Sequence, residues 1–166
     1  PVRQLNFEEA AKLAHFGAKI LHPCCIRPAK ESNIPVRLLN SFEPSAPGTL
    51  ISNTAEKGRI KAVAAKDDIT YIKIKSINQL PSHKFLSHVF DTFAFYKTAV
   101  DMVTTSDIGV SVTIDNTEYL QEIVARLESY ATVFVEKEMV IICVVGDLEW
   151  RNVGFEALII EALKDI

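Results

Sequence analysis

The sequence has no apolar run near the roughly eighteen residues that a membrane-crossing helix needs, so no membrane partner is expected. It has no extended Lys/Arg cluster either. Its 18 basic residues are outnumbered by 21 acidic ones, for a net charge of −3. A nucleic-acid partner is therefore not expected. Cysteine is scarce: Cys24, Cys25 and Cys143 make an odd count, and the first two are adjacent, which is not zinc-finger spacing. Reduced thiols in a cytoplasmic protein are the simplest reading. The histidines His15, His22, His83 and His88 are scattered and make no metal set, so no metal site is expected. The chain starts at Pro1 without Met or a signal peptide, which suggests a piece cut from a longer protein. What remains is 166 residues of ordinary globular composition, 48% hydrophobic and 23% charged, enough for one good core or two small ones.

One stretch breaks the ordinary pattern. VDMVTTSDIGVSV (100–112) begins and ends like a strand but puts Thr104, Thr105, Ser106 and Asp107 in a row between the apolar runs. A plain hairpin would use two residues such as Asn-Gly. The spacing predicts a polar turn flanked by Asp101 and Asp107, either simply solvated or binding something small and polar.

Along the chain, Asn6 followed by Glu9 reads as a capping box. The helix it opens carries Phe7, Ala11, Ala14, Ala18 and Leu21 on one face and should stop by Pro23. IPVRLL (34–39) reads as a short strand, and 40–53, with Pro44, Pro47 and Gly48, as loop and candidate boundary. Two β-like runs follow, at 59–66 and 69–77. The second should place Ile69, Tyr71, Lys73 and Lys75 on the wet side and Ile72 and Ile74 on the dry side. From Ser82, which can cap it, an amphipathic helix carries Phe85, Leu86, Val89, Phe90 and Phe93. AVDMV and IGVSVTI are strand-like. A helix with Leu120, Ile123, Val124 and Leu127 opens at Asn116 or Thr117, strands follow at 131–136 and 139–146, and a last helix covers 153–166.

From residue 69 the order is β-α-β-β-α-β, then β-α. The first six elements spell one ferredoxin-like α+β unit of two split βαβ halves. The last two start a second unit, whose open edge the run at 59–66 could fill.

Two blocks carry a family resemblance. FGAKILHP (16–23), with IPV (34–36) and PGTLIS (47–52), resembles the end of the aspartokinase catalytic domain, an α/β amino-acid-kinase fold. NQLPSHKFLSHVF (78–90), with VDMVTTSDIGVSV, resembles the first regulatory ACT domain of the lysine-sensitive, single-function branch of that family. The resemblance implies a parent enzyme that phosphorylates the β-carboxylate of L-aspartate with ATP and Mg2+, the entry step to lysine, threonine and methionine. It implies four segments: 1–54 as the kinase-domain remnant, 55–68 as a connector with a strand given to a second ACT unit, 69–137 as the first ACT domain and 138–166 as part of the second. The family's Lys-Phe-Gly-Gly-Thr phosphate-binding signature is absent, as is its Thr-Asp-Pro-Arg type loop. Phosphoryl transfer depends on positioning and charge neutralisation of phosphates. This stretch alone is therefore expected to be inactive and to hold no cofactor. The resemblance carries nucleotide contact onto Lys19 and Ile20. Without the motif, Lys19 would read as a solvated helix lysine.

It also carries effector contact onto Gln79, Ser82, Phe85, Leu86, Val100, Asp101, Thr105, Ser106 and Asp107, at an interface of two ACT domains from two subunits, and so implies a homodimer. The chemistry suits L-lysine. Its carboxylate wants free N–H groups at a helix N-terminus, here near His83 to Leu86, and its ammonium groups want carboxylates such as Asp101 and Asp107. Gln79 stands where bacterial relatives often have Met, and Asp107 where they have the longer Glu. L-threonine is therefore the rival effector. Each residue also has a plainer reading: Asp101 as an edge charge, Thr105 and Ser106 as turn formers, Phe85, Phe90 and Phe93 as core, the cysteines as buried filler. The rival functions are a small catalyst using Asp101 and Asp107 as acid and base, and a purely structural dimerisation domain. The catalyst lacks a His partner, a Gly-rich loop and a metal set.

Overall fold

The computed structural model describes residues 2–18, 21–54, 60–77, 82–106, 108–146 and 154–164, without the side chains of Pro23, Ser82 and Phe155. The chain forms two compact units, one of Lys66–Ile141 and one of Pro1–Ala65 with Ile142–Ile166.

In the unit of Lys66–Ile141 the expected order is observed: β4 (Ile60–Ser76), α3 (Ser82–Phe95), β5 (Met102–Ser106), β6 (Gly109–Ile114), α4 (Leu120–Glu128) and β7 (Ala131–Gly146). The sheet order is β5-β6-β4-β7, which is the ferredoxin-like arrangement, with β6 antiparallel to both neighbours. The β4–β6 register sets Ile72 opposite Val112 and Ile74 opposite Val110. These side chains form one face, and Phe85, Val89 and Phe93 of α3 and Leu120, Ile123 and Leu127 of α4 cover it. Gly109 stands where β6 leaves the turn. A Cβ there would lie 2.6 Å from the carbonyl oxygen of Ile74, so only glycine lets the strands approach this closely.

Two expectations about β4 and β7 are corrected. Each pair of predicted strands is a single long strand, 17 residues in β4 and 16 in β7. The polar breaks that resembled turns are absorbed by one left-handed residue in each strand, Asp68 (φ 57) and Glu138 (φ 59). Such a residue bends a strand locally. Just after the bend Ile69, expected on the wet side, is buried at 1% exposure, and so is its neighbour Thr70 at 3%. Phe90 is also corrected. It lies on the outer flank of α3 and is 38% exposed, whereas Phe85 and Phe93 are core.

The other unit contains β1 (Gln4–Asn6), α1 (Phe7–His15), α2 (Pro23–Glu31), β2 (Val36–Leu38), β3 (Thr49–Ser52) and α5 (Phe155–Leu163). Its sheet order is β1-β3-β2, parallel between β1 and β3 and antiparallel between β3 and β2. The capping box is present. Asn6 Oδ1 accepts from the Glu9 N–H and Glu9 Oε2 from the Asn6 N–H, both at 2.7 Å. The helix stops earlier than expected, at His15, where Gly17 (φ 103) turns the chain. Pro23 does not end that helix but starts α2, because its fixed φ suits a first helical position and His22 Nδ1 caps by accepting from Cys24 N at 3.3 Å. The stretch read as loop contains β3, the central strand of this sheet. Leu5, Phe7, Ala10, Leu13, Ile26 and Ile51 centre its core.

Candidate effector site

The register of β5 decides the geometry of the site. Thr104, Thr105 and Ser106 were expected in a turn. They are instead the last residues of β5, paired with Ser111, Val110 and Gly109. Threonine favours the pleated chain, and an edge strand tolerates its exposed hydroxyl. Asp101 therefore precedes one end of the strand and Ser106 closes the other. Extended chain rises about 3.3 Å per residue, so roughly 16 Å separates them.

At the first end, Val100 packs partly buried against the core. The Asp101 N–H donates to the Thr113 carbonyl at 2.8 Å, and the next N–H, of Met102, donates to Thr113 Oγ1 at 3.0 Å. The Asp101 side chain is only 9% exposed. Its two oxygens accept from Lys66 Nζ at 2.9 and 2.8 Å, and the same ammonium reaches Asp115 Oδ2 at 2.9 Å. Burial works against the Lys66 charge, but hydrogen bonds and attraction from Asp101 and Asp115 outweigh it and hold the ammonium above its usual range. The hydrogen bond from Lys66 holds the Asp115 carboxyl below the usual aspartate range, against a smaller opposing effect of burial.

At the second end, Ser106 Oγ donates to the Gly109 carbonyl at 3.2 Å, and the Ser76 N–H donates to Ile108 at 3.1 Å. A cleft of about 340 Å³ opens here, lined by Thr104, Thr105 and Ser106 with Lys73, Lys75 and Ser111. The end of β4, which leads on to α3, is tied to this same turn. Among the α3 candidates, Phe85 is 4% exposed and packs edge-on to Tyr130, with ring centroids 6.3 Å apart, so it is a core residue. Leu86 is half-buried beside it. Gln79, Asp107, Lys19 and Ile20 lie outside the described residues, as does the side chain of Ser82. Within one copy, then, the fold brings Val100 to Asp101 and Thr105 to Ser106, but not the two pairs together.

Sequence reasoning missed Lys66 and Asp115. The sequence pattern alone puts Lys66 at the end of a separate strand, 59–66. Asp115 follows β6 directly, and the register that pairs Met102 with Thr113 brings it toward Asp101. An antiparallel alignment of the two strands would have found it. Between its two polar ends, β5 is a sheet edge with exposed apolar side chains: Met102 is 45%, Val103 46% and, just beyond, Ile108 67% exposed. Among the described residues no helix is long and apolar enough to cross a membrane.

No family model matches the chain. It is 38% identical over 160 residues to the chloroplastic aspartokinase 3 of Arabidopsis thaliana, covering 90% of this chain and 29% of that protein. It superimposes on E. coli aspartokinase III in complex with lysine and aspartate (T-state) with a TM-score of 0.80 and 35% identity, over 99% of this chain and 38% of that one. A C-terminal regulatory domain of aspartate kinase from Porphyromonas gingivalis W83 is 54% identical over 63% of this chain and 71% of that one, with a TM-score of 0.55. The chain spans about a third or less of the length of the curated relatives it matches. With this likeness in sequence and in fold, the chain belongs to the aspartokinase family.

Proposed function

We propose that this chain is the regulatory region of an aspartokinase and binds L-lysine as feedback effector between two copies of the ferredoxin-like unit. The carrying observation is the separation of Asp101 from Thr105 and Ser106 by the length of an exposed edge strand. Exposed strand edges pair readily with another strand. If two β5 strands pair antiparallel about Val103, Asp101 of one copy lies opposite Thr105 of the partner subunit, next to its Ser106. The two halves then complete one another, twice, by symmetry. The exposed Met102, Val103 and Ile108 are covered in the same step.

L-lysine fits such a site by charge. One ammonium goes to Asp101, the carboxylate to the free N–H groups at the start of α3, and the hydroxyls of Thr105 and Ser106 complete the polar contacts. The T-state complex of the E. coli relative contains lysine, which favours lysine over threonine. Gln79 remains the residue that would favour threonine. Effector binding across a dimer would bias two global states, typically with a coupling of about 1–3 kcal/mol, and so inhibit the kinase. In the parent enzyme ATP with Mg2+ would phosphorylate L-aspartate, with Lys19 and Ile20 reaching the nucleotide. This stretch, without the phosphate cradle, would not turn over alone.

Titration calorimetry of the chain with L-lysine and then L-threonine, with sedimentation in parallel, tests the reading. Saturable heat from lysine, lost in Asp101→Ala without loss of fold, is expected together with a homodimer. Unchanged lysine affinity in Asp101→Ala would refute the site. A monomer with and without lysine would refute the shared interface.

A further inference from the structure

Lys66, from the same chain, places its ammonium on both oxygens of Asp101. All three ammonium hydrogens have acceptors: two oxygens of Asp101 and one of Asp115. Together the three side chains hold two negative charges against one positive. The two carboxylates are not equivalent. The Asp101 side chain is 9% exposed, whereas that of Asp115 is 47% exposed. Asp101 is also held by the backbone. The N–H groups of Asp101 and Met102 are both fixed on Thr113, at 2.8 and 3.0 Å, so the main chain that carries the carboxylate is held independently of Lys66.

We infer that Lys66 is a built-in rival of the effector's ammonium: it occupies Asp101 in the effector-free protein and is handed over to Asp115 when the effector binds. The inference rests on the effector reading of Asp101 given above. The exchange conserves charge pairing. Before it, one ammonium serves two carboxylates. After it, the effector's ammonium serves Asp101 while Lys66 keeps the Asp115 contact it already has. No carboxylate is stripped of its cation at any point, which matters because an unpaired charge in a partly buried place is costly. Lys66 would thereby set the concentration at which the effector acts, without touching the effector itself.

The rivalry makes two substitutions act in opposite directions. Lys66→Met removes the rival and keeps the aliphatic stem, so L-lysine should bind about fivefold more tightly. Asp115→Asn removes the place to which Lys66 retreats, so L-lysine should bind more weakly. Lys66→Arg keeps a cation on Asp101 and should not tighten binding. All three are measured by titration calorimetry of the chain with L-lysine, with thermal unfolding as the control for fold. Asp115 is half exposed, so its variant keeps the test available if Lys66→Met does not fold.

Tighter binding in Lys66→Met with weaker binding in Asp115→Asn supports the exchange. Equal affinities, or weakening in both, overturn it and leave Lys66 as a structural support. The two failures separate cleanly. If the unaltered chain binds L-lysine, Asp101→Ala abolishes that binding, and Lys66→Met changes nothing, the exchange alone fails. If the unaltered chain gives no heat with L-lysine, the effector reading fails and the exchange with it.

Discussion

Lys61 and Glu9 form the most deeply buried ion pair among the described residues, with side chains 3% and 6% exposed. Lys61 Nζ donates to both Glu9 oxygens, at 2.8 and 3.0 Å, and Glu9 also closes the capping box of α1. The pair therefore ties the helix start to β4. Lys61→Met keeps the stem and removes the ammonium, leaving a carboxylate in a place that water barely reaches. Removing one partner of a buried pair costs about 3–5 kcal/mol, mostly because the remaining charge is unpaired. For a protein of this size that corresponds to a melting temperature lower by roughly 10 °C. Glu9→Gln keeps an acceptor for the Asn6 N–H but strands the buried Lys61 ammonium, so it should cost a similar amount. The double variant should recover much of the loss, because the two costs share one cause and cannot add. Chemical denaturation followed by circular dichroism measures all four proteins. A loss below about 1 kcal/mol in Lys61→Met, or a double variant equal to the sum of the singles, would show that burial does not make the unpaired charge costly.

Other consequences are as direct. Gly109→Ala should lower stability by about 1–3 kcal/mol, since the new methyl group meets the Ile74 carbonyl at 2.6 Å; an unchanged denaturation midpoint would contradict this. Burial raises the Cys143 thiol above its usual range, opposed in smaller measure by Lys12, while Cys24 and Cys25 are exposed. Alkylation at neutral pH, read by mass spectrometry, should therefore modify Cys24 and Cys25 before Cys143. The Lys66–Asp115 pair should make stability depend on pH at both extremes. Asp115 titrates lower when folded, so its contribution is complete above the ordinary aspartate value of about 3.9 and is lost as pH falls through the folded value. Lys66 titrates higher when folded, so its contribution is complete below the ordinary lysine value of about 10.4 and is lost as pH rises through the folded value. Asp115 is half exposed, so the acid effect is screened and small. Asp115→Asn should flatten the acid limb, and an unaltered limb would count against the pairing.

The parts of the fold legible in the sequence were those fixed by local chemistry and strong periodicity. The capping box at Asn6 and Glu9, the apolar stripes of α3 and α4, and the alternation of IGVSVTI each follow from neighbouring residues. What was missed depends on distant ones. Polar breaks at Asp68 and Glu138 resemble turns until the flanking runs pair within one sheet. Pro23 is a stop or a start according to what precedes it, and Gly17 had already ended α1. The site was half legible. Asp101, Thr105 and Ser106 carry the polar groups of the candidate site, but reading the polar stretch as a turn places them on one corner. Strand pairing set them at opposite ends and gave Asp101 a cation from Lys66 that no local pattern announces.

In the proposed assembly the polar ends of β5 make an effector site shared by two copies. Titration of the chain with L-lysine tests it most directly, with the stoichiometry read against the mass from sedimentation. One lysine per chain in a homodimer is expected, with no saturable heat in Asp101→Ala. A chain that stays monomeric while binding lysine, or one that binds no lysine as a dimer, would contradict it.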